Sequence, residues 1–145
     1  MFNYSLKTKI FLIMALIFLA VFLIIVTTEE KRRANDLLLV SQARQLAFGL
    51  ERYYDKFNAY PLLEKFPVEN IRSISEKGIN AADMERVYFF RGFTWAGPAT
   101  IISREDNYLI EFELERKWPL WNIDSNKGGK CRISANMVMS CLPKQ

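Results

Sequence analysis

Nineteen consecutive residues without a charge, Ile10 to Thr28, constrain this chain more than any other stretch. As a helix, at about 1.5 Å per residue, they reach roughly 28 Å, the thickness of the hydrocarbon layer of a bilayer. A secretory signal also carries an apolar run, but that run is about 7–15 residues long and ends at a small-residue cleavage site. Here the run is longer and closes in Ile-Val-Thr-Thr-Glu-Glu. A retained, single-pass membrane anchor over 10–28 is therefore expected, after a short N-terminal segment, 1–9. The flanking charges do not decide the side of that segment, and the cysteine pair Cys131 and Cys141 places it in the cytoplasm.

The residues after the anchor keep a helical period but become one-sided. Ala43, Leu46, Ala47, Leu50, Tyr53, Tyr54 and Phe57 recur at the three-and-four spacing that stripes one helix face. Gln42, Arg44, Gln45, Glu51, Arg52, Asp55 and Lys56 fill the remainder. No proline occurs before Pro61, and Gly49 is the only glycine up to that point. One helix is expected to continue through 29–60 as an amphipathic segment. Tyr60-Pro61 stops it, because the residue before proline is pushed to extended geometry, and Asn58 suits a left-handed closing position.

Charge and composition exclude several functions. The anchor flanks hold five basic residues (Lys7, Lys9, Lys31, Arg32, Arg33) against Glu29 and Glu30, a local +3. From Ala34 onward 15 basic residues meet 14 acidic ones. The basic excess belongs to lipid headgroups, and no nucleic-acid surface is expected. There is no histidine, nucleophile motif or phosphate loop, so no enzyme and no cofactor are expected. The 112 residues after Arg33 are enough for one small domain.

Within 61–145, helical signals give way to strands. Pro61 to Val68 reads as a loop dipping back through Leu62, Leu63 and Phe66. Glu69 to Lys77 is expected as a short helix ended by Gly78, and Asn80 as the cap of a further turn through Glu85. Val87 to Trp95 is dense in aromatics and reads as a strand before the Ala96-Gly97-Pro98 turn. Thr100 to Ser103 extends a hairpin. Asn107 to Glu115 alternates most clearly, with Tyr108, Ile110, Phe112 and Leu114 on one parity and Leu109, Glu111, Glu113 and Glu115 on the other. Lys130 to Ser134 and Met137 to Cys141 form a terminal hairpin after a turn at Asp124 to Gly129. The fold class is α+β: a long membrane-spanning helix packed on a small antiparallel sheet. Its expected core joins Leu46, Leu50, Tyr53, Tyr54 and Phe57 to Ile110 and Phe112.

Three features have a functional and a plain reading. The aromatics Tyr88, Phe89, Phe90, Phe93, Trp95, Trp118 and Trp121 are expected in the core rather than lining a groove. Asp124-Ser125-Asn126 offers oxygen ligands for calcium, but these are also ordinary hairpin-turn residues, and calcium needs about six or more oxygens. Cys131 and Cys141, an even pair in a small tethered domain, are expected as a disulfide outside the cytoplasm rather than as two unrelated thiols.

The apolar helix, its run Ala43-Arg44-Gln45-Leu46-Ala47-Phe48-Gly49-Leu50-Glu51-Arg52-Tyr53-Tyr54 and the close Phe57-Asn58-Ala59-Tyr60-Pro61 resemble the type IV pilin and type II secretion pseudopilin family. The later strand and the C-terminal cysteines are similar to that family's in arrangement. The resemblance implies a pilin-like fold in the cytoplasmic (inner) membrane, with the C-terminal domain outside. It implies other pilin-like subunits or secretion and pilus assembly proteins as partners, besides the bilayer. Two positions depart from the family pattern. The peptidase-read glycine has no counterpart near Lys9-Ile10-Phe11, and Ala15 stands where members carry a helix glutamate. The expected function is a non-enzymatic structural or assembly component. The alternative is a tethered extracytoplasmic binding or sensor domain.

Overall fold

The computed structural model describes residues 6–82, 85–115 and 129–142. Helix α1, Leu6–Phe57, runs 52 residues without interruption. The chain divides into two units, Met1–Ala34 and Asn35–Gln145. In the first unit every described apolar side chain from Ile10 to Val26 is exposed, Phe18 by 76% and Phe11 by 72%. Among the described residues α1 is the one helix long and apolar enough to cross a membrane. Its two hydroxyls at the far end are satisfied locally: Thr27 Oγ1 donates to the Leu23 carbonyl and Thr28 Oγ1 to the Ile24 carbonyl. Such back-bonding leaves no hydroxyl seeking water at the edge of a hydrocarbon layer.

In the second unit the helix ends as the sequence implies. Asn58 takes a left-handed φ of 54°, and its N–H donates to the Tyr54 carbonyl at 2.7 Å. Tyr60 then turns inward, 5% exposed, stacking on Tyr54 and meeting Tyr108 edge-on.

Two antiparallel sheets follow. The first contains β1 (Leu63–Pro67), β5 (Ala99–Arg104), β6 (Asn107–Leu114), β7 (Gly129–Ser134) and β8 (Val138–Cys141), in spatial order β1-β5-β6-β7-β8. The second contains β2 (Ser73–Ser75), β3 (Gly78–Ile79) and β4 (Val87–Phe90), in order β3-β2-β4. The central strand β6 alternates as its sequence does: Tyr108, Ile110, Phe112 and Leu114 are buried while Glu111 and Glu113 are exposed. Its neighbours keep register, with Ile110 opposite Ile101 on β5 and Ile133 on β7. Glu111 and Glu113 face Arg132 and Lys130 on β7, so the wet face carries opposite charges in pairs.

Four expectations are corrected. Pro61 to Val68 is not all loop: it contains β1, an edge strand that tolerates Pro67 because its outer side needs no partner. A bulge at Lys65 (φ 41°) interrupts its pairing and hides the alternation. Glu69 to Lys77 is not a helix. Only a single 3₁₀ turn, Val68–Asn70, precedes β2, whose three residues are all buried. Asn80 caps no helix; its Oδ1 accepts the Arg72 and Ser73 N–H groups and its Nδ2 donates to the Asn70 carbonyl. One side chain thus does a neighbouring strand's hydrogen bonding, and that competes with helix. The strand expected over Val87 to Trp95 stops at Phe90, beyond which helix side chains hold the backbone instead. Trp118, Trp121 and the Asp124 to Gly128 turn lie outside the described residues.

Close approach of helix and second sheet depends on Gly49. A Cβ there would lie 2.5 Å from Phe89 Cβ and 3.3 Å from the Tyr88 carbonyl oxygen. Alanine is the better helix former by about 1 kcal/mol, yet this overlap involves backbone and a branch point rather than a flexible tip. Gly49→Ala is expected to destabilise the domain by about 1–3 kcal/mol, the cost of overpacking. A urea melt in which the variant equals or exceeds the parent would contradict the close packing.

Candidate functional site: the helix–sheet seam and the terminal hairpin

The seam is built from the helix stripe. Leu46, Leu50 and Ile110 are fully buried, Phe112 is 4% exposed, and all belong to one apolar cluster. Tyr53 and Tyr54 are half-buried against that cluster. Phe57 is not part of the core. It is 41% exposed at the last helical position, touching Tyr53 and Tyr88 at the rim. The helix ends before the sheets can cover that residue. Phe90 (67% exposed) also leaves the core, because the alternation of β4 turns Phe89 inward and Phe90 outward.

The seam also has polar anchors. Asp36 Oδ1 accepts the Glu115 N–H at 2.9 Å, holding the exit of β6. Gln42, 1% exposed, donates from Nε2 to the Thr94 carbonyl and accepts the Ala96 N–H on Oε1. Its amide thereby acts as a short strand for the segment after β4. Asn35 Nδ2 adds a bond to the Ala96 carbonyl at 2.9 Å.

Glu51 is the fourth anchor and the most connected. Oε1 accepts Tyr108 Oη–H at 2.9 Å and the Asn136 N–H at 2.7 Å, and Oε2 accepts Tyr60 Oη–H at 3.0 Å. One helix carboxylate therefore joins the helix end, the central strand and the β7–β8 turn. Burial first, then donation to Glu51 and the nearness of its charge, push both phenols above their ordinary value of 10.0. The sign for stability follows. The folded state keeps both protons where the unfolded chain releases them, so their contribution is complete below pH 10 and lost above it. Above pH 10 each phenol steepens the fall in stability by about 1.4 kcal/mol per pH unit. Tyr60→Phe with Tyr108→Phe is expected to flatten that alkaline limb in pH-dependent urea titrations. An unchanged slope would mean that neither phenol titrates abnormally.

Spacing marks three of the four anchors. Asp36 lies three residues before Leu39, Gln42 four before Leu46, and Glu51 four after Ala47 and three before Tyr54. Polarity alone assigns Gln42 and Glu51 to the solvent face, and the structure places Gln42 inside and Glu51 half-buried.

In the terminal hairpin Cys131 and Cys141 are opposed residues of β7 and β8, Cα atoms 4.0 Å apart, and form a disulfide. The bond ties the edge strand β8 to the sheet. Replacing both cysteines by serine is expected to cost about 2–3 kcal/mol, the loop-closure entropy of so short a ring. Equal melting of the oxidised and reduced parent protein would contradict this.

Among the described residues no group of three or more His, Cys, Asp or Glu side chains is placed to hold a metal, and the Asp124–Asn126 calcium candidate lies outside them. The site offers packing and hydrogen-bonding surfaces built on one helix. No protein-family model matches the chain, and neither does any curated protein or solved structure.

Proposed function

We propose that the chain is a membrane-anchored, non-enzymatic, pilin-like structural or assembly component of a pilus or secretion system, held in the cytoplasmic membrane with its C-terminal domain outside. One observation carries this reading: a single unbroken helix supplies both the apolar segment and, by its later turns, the spine of the antiparallel domain. A tether alone needs no such continuity, because any linker holds a domain at a membrane. The disulfide supports the outward placement, since the cytoplasm keeps thiols reduced. A second reading, a tethered binding domain outside any fibre, is favoured by Ala15 and by the missing glycine before Phe11.

Photo-crosslinking residues placed at Leu16 or Leu23 in the native host separate the two. Assembly predicts covalent adducts with the anchors of other pilus or secretion subunits, identified by mass spectrometry. Adducts to lipid alone would leave the tether reading and remove the assembly one.

A further inference from the structure

On the outer side of α1 within the second unit lies a groove of about 520 Å³ that the seam does not use. Leu37, Val40 and Phe48 supply its apolar helix wall, and Met137 of the β7–β8 turn closes the other side. Leu37, Phe48 and Met137 are 44%, 53% and 38% exposed, so this apolar surface is open to solvent. Its one charged lining residue is Arg44. A second guanidinium, that of Arg52, lies 5.7 Å from the Phe48 ring centroid, so the groove is apolar inside and basic at its rim.

The turn that closes the groove is costly to make. Asn136 and Met137 hold φ of 62° and 57°, a left-handed pair in which the second position ordinarily falls to glycine. The Glu51 carboxylate fixes the first of them through the Asn136 N–H. A methionine kept there presents a flexible, polarisable side chain to the groove, suited to a surface that accepts another apolar group.

We propose that this groove docks an acidic amphipathic segment of a partner protein, one apolar side chain entering between Phe48 and Met137 while a carboxylate pairs with Arg44. Charge complementarity selects this occupant: the groove's lining charge is positive and apolar area lies directly beside it. A second copy fits less well. The outward glutamates of β6, Glu111 and Glu113, already face Arg132 and Lys130 across β6–β7.

The test uses the full chain in zwitterionic nanodiscs and two fluorescent helical peptides, one with a leucine stripe flanked by glutamates and one with lysines in their place. The glutamate peptide is expected to bind and the lysine peptide to bind at least about tenfold more weakly, the effect of one charge-assisted contact. Arg44→Glu is expected to reverse that preference. Met137→Gly, which relieves the backbone and preserves the fold, is expected to weaken the glutamate peptide. Equal binding of both peptides, or indifference to Arg44→Glu with the melt unchanged, would overturn the proposal. Concentration-dependent self-association abolished by Phe48→Ser would overturn it in favour of a second copy.

Discussion

Replacing Leu50 by alanine is expected to lower the stability of the domain by about 2–5 kcal/mol, the range for truncating a buried leucine. Leu50 is fully enclosed, and the cavity left behind would be walled by the helix and the strand residues of the same cluster. Surrounding side chains cannot collapse freely into it, because Gly49 already presses the backbone of α1 against Phe89. Arg52→Ala, two residues on, removes an exposed side chain over Phe48 and is expected to cost less than about 0.5 kcal/mol. Urea titration of both variants in the same nanodiscs checks the contrast. Equal effects would mean that the helix does not form the spine of the domain.

The second large effect is expected at Glu51. Glu51→Ala strands two buried phenols, each at about 1–3 kcal/mol when left without an acceptor, and releases the exposed Asn136 N–H to water. Water entering the half-exposed side of Glu51 offsets part of this, and a net loss of about 3–5 kcal/mol is expected. Glu51→Gln keeps one carbonyl oxygen and should fall between. The loss is also expected to propagate, because the Asn136 bond is what fixes the β7–β8 turn. Amide exchange of β8 should therefore accelerate in Glu51→Ala and not in Arg52→Ala. An unaltered β8 would show that the carboxylate does not hold the turn.

How much of this was legible in the sequence differs by element. The helix was readable to its last residues because its period, its lack of breakers and Asn58-Ala59-Tyr60-Pro61 all agree. Strand β6 was readable because one face is buried and the other is charged, so burial writes a period of two into the residues. The disulfide was readable from an even pair of cysteines lying on the two arms of the terminal hairpin. Strands β1 to β3 were not. Leu63–Pro67 loses its alternation to the bulge at Lys65, and Ser73–Ser75 is buried on both faces with serines, which carry little strand signal. Asn80, a residue that caps helices elsewhere, here clasps a strand through contacts seven to ten residues away. Gln42 and Glu51 had the right spacing for burial and the wrong polarity; their partners lie on distant strands that no local window contains. Phe57 failed for the opposite reason, an aromatic at stripe spacing that meets the sheets only at the edge of Tyr88 and stays 41% exposed.

The most direct measurement is the intact mass of the protein after thiol alkylation, taken from carbonate-washed membranes of the native host with and without reductant. An anchored chain with an outward domain predicts that the protein stays in the washed membrane, carries no alkyl group without reductant, and gains two after reduction at Cys131 and Cys141. Protein released into the wash, or two alkyl groups on the unreduced chain, would contradict the account.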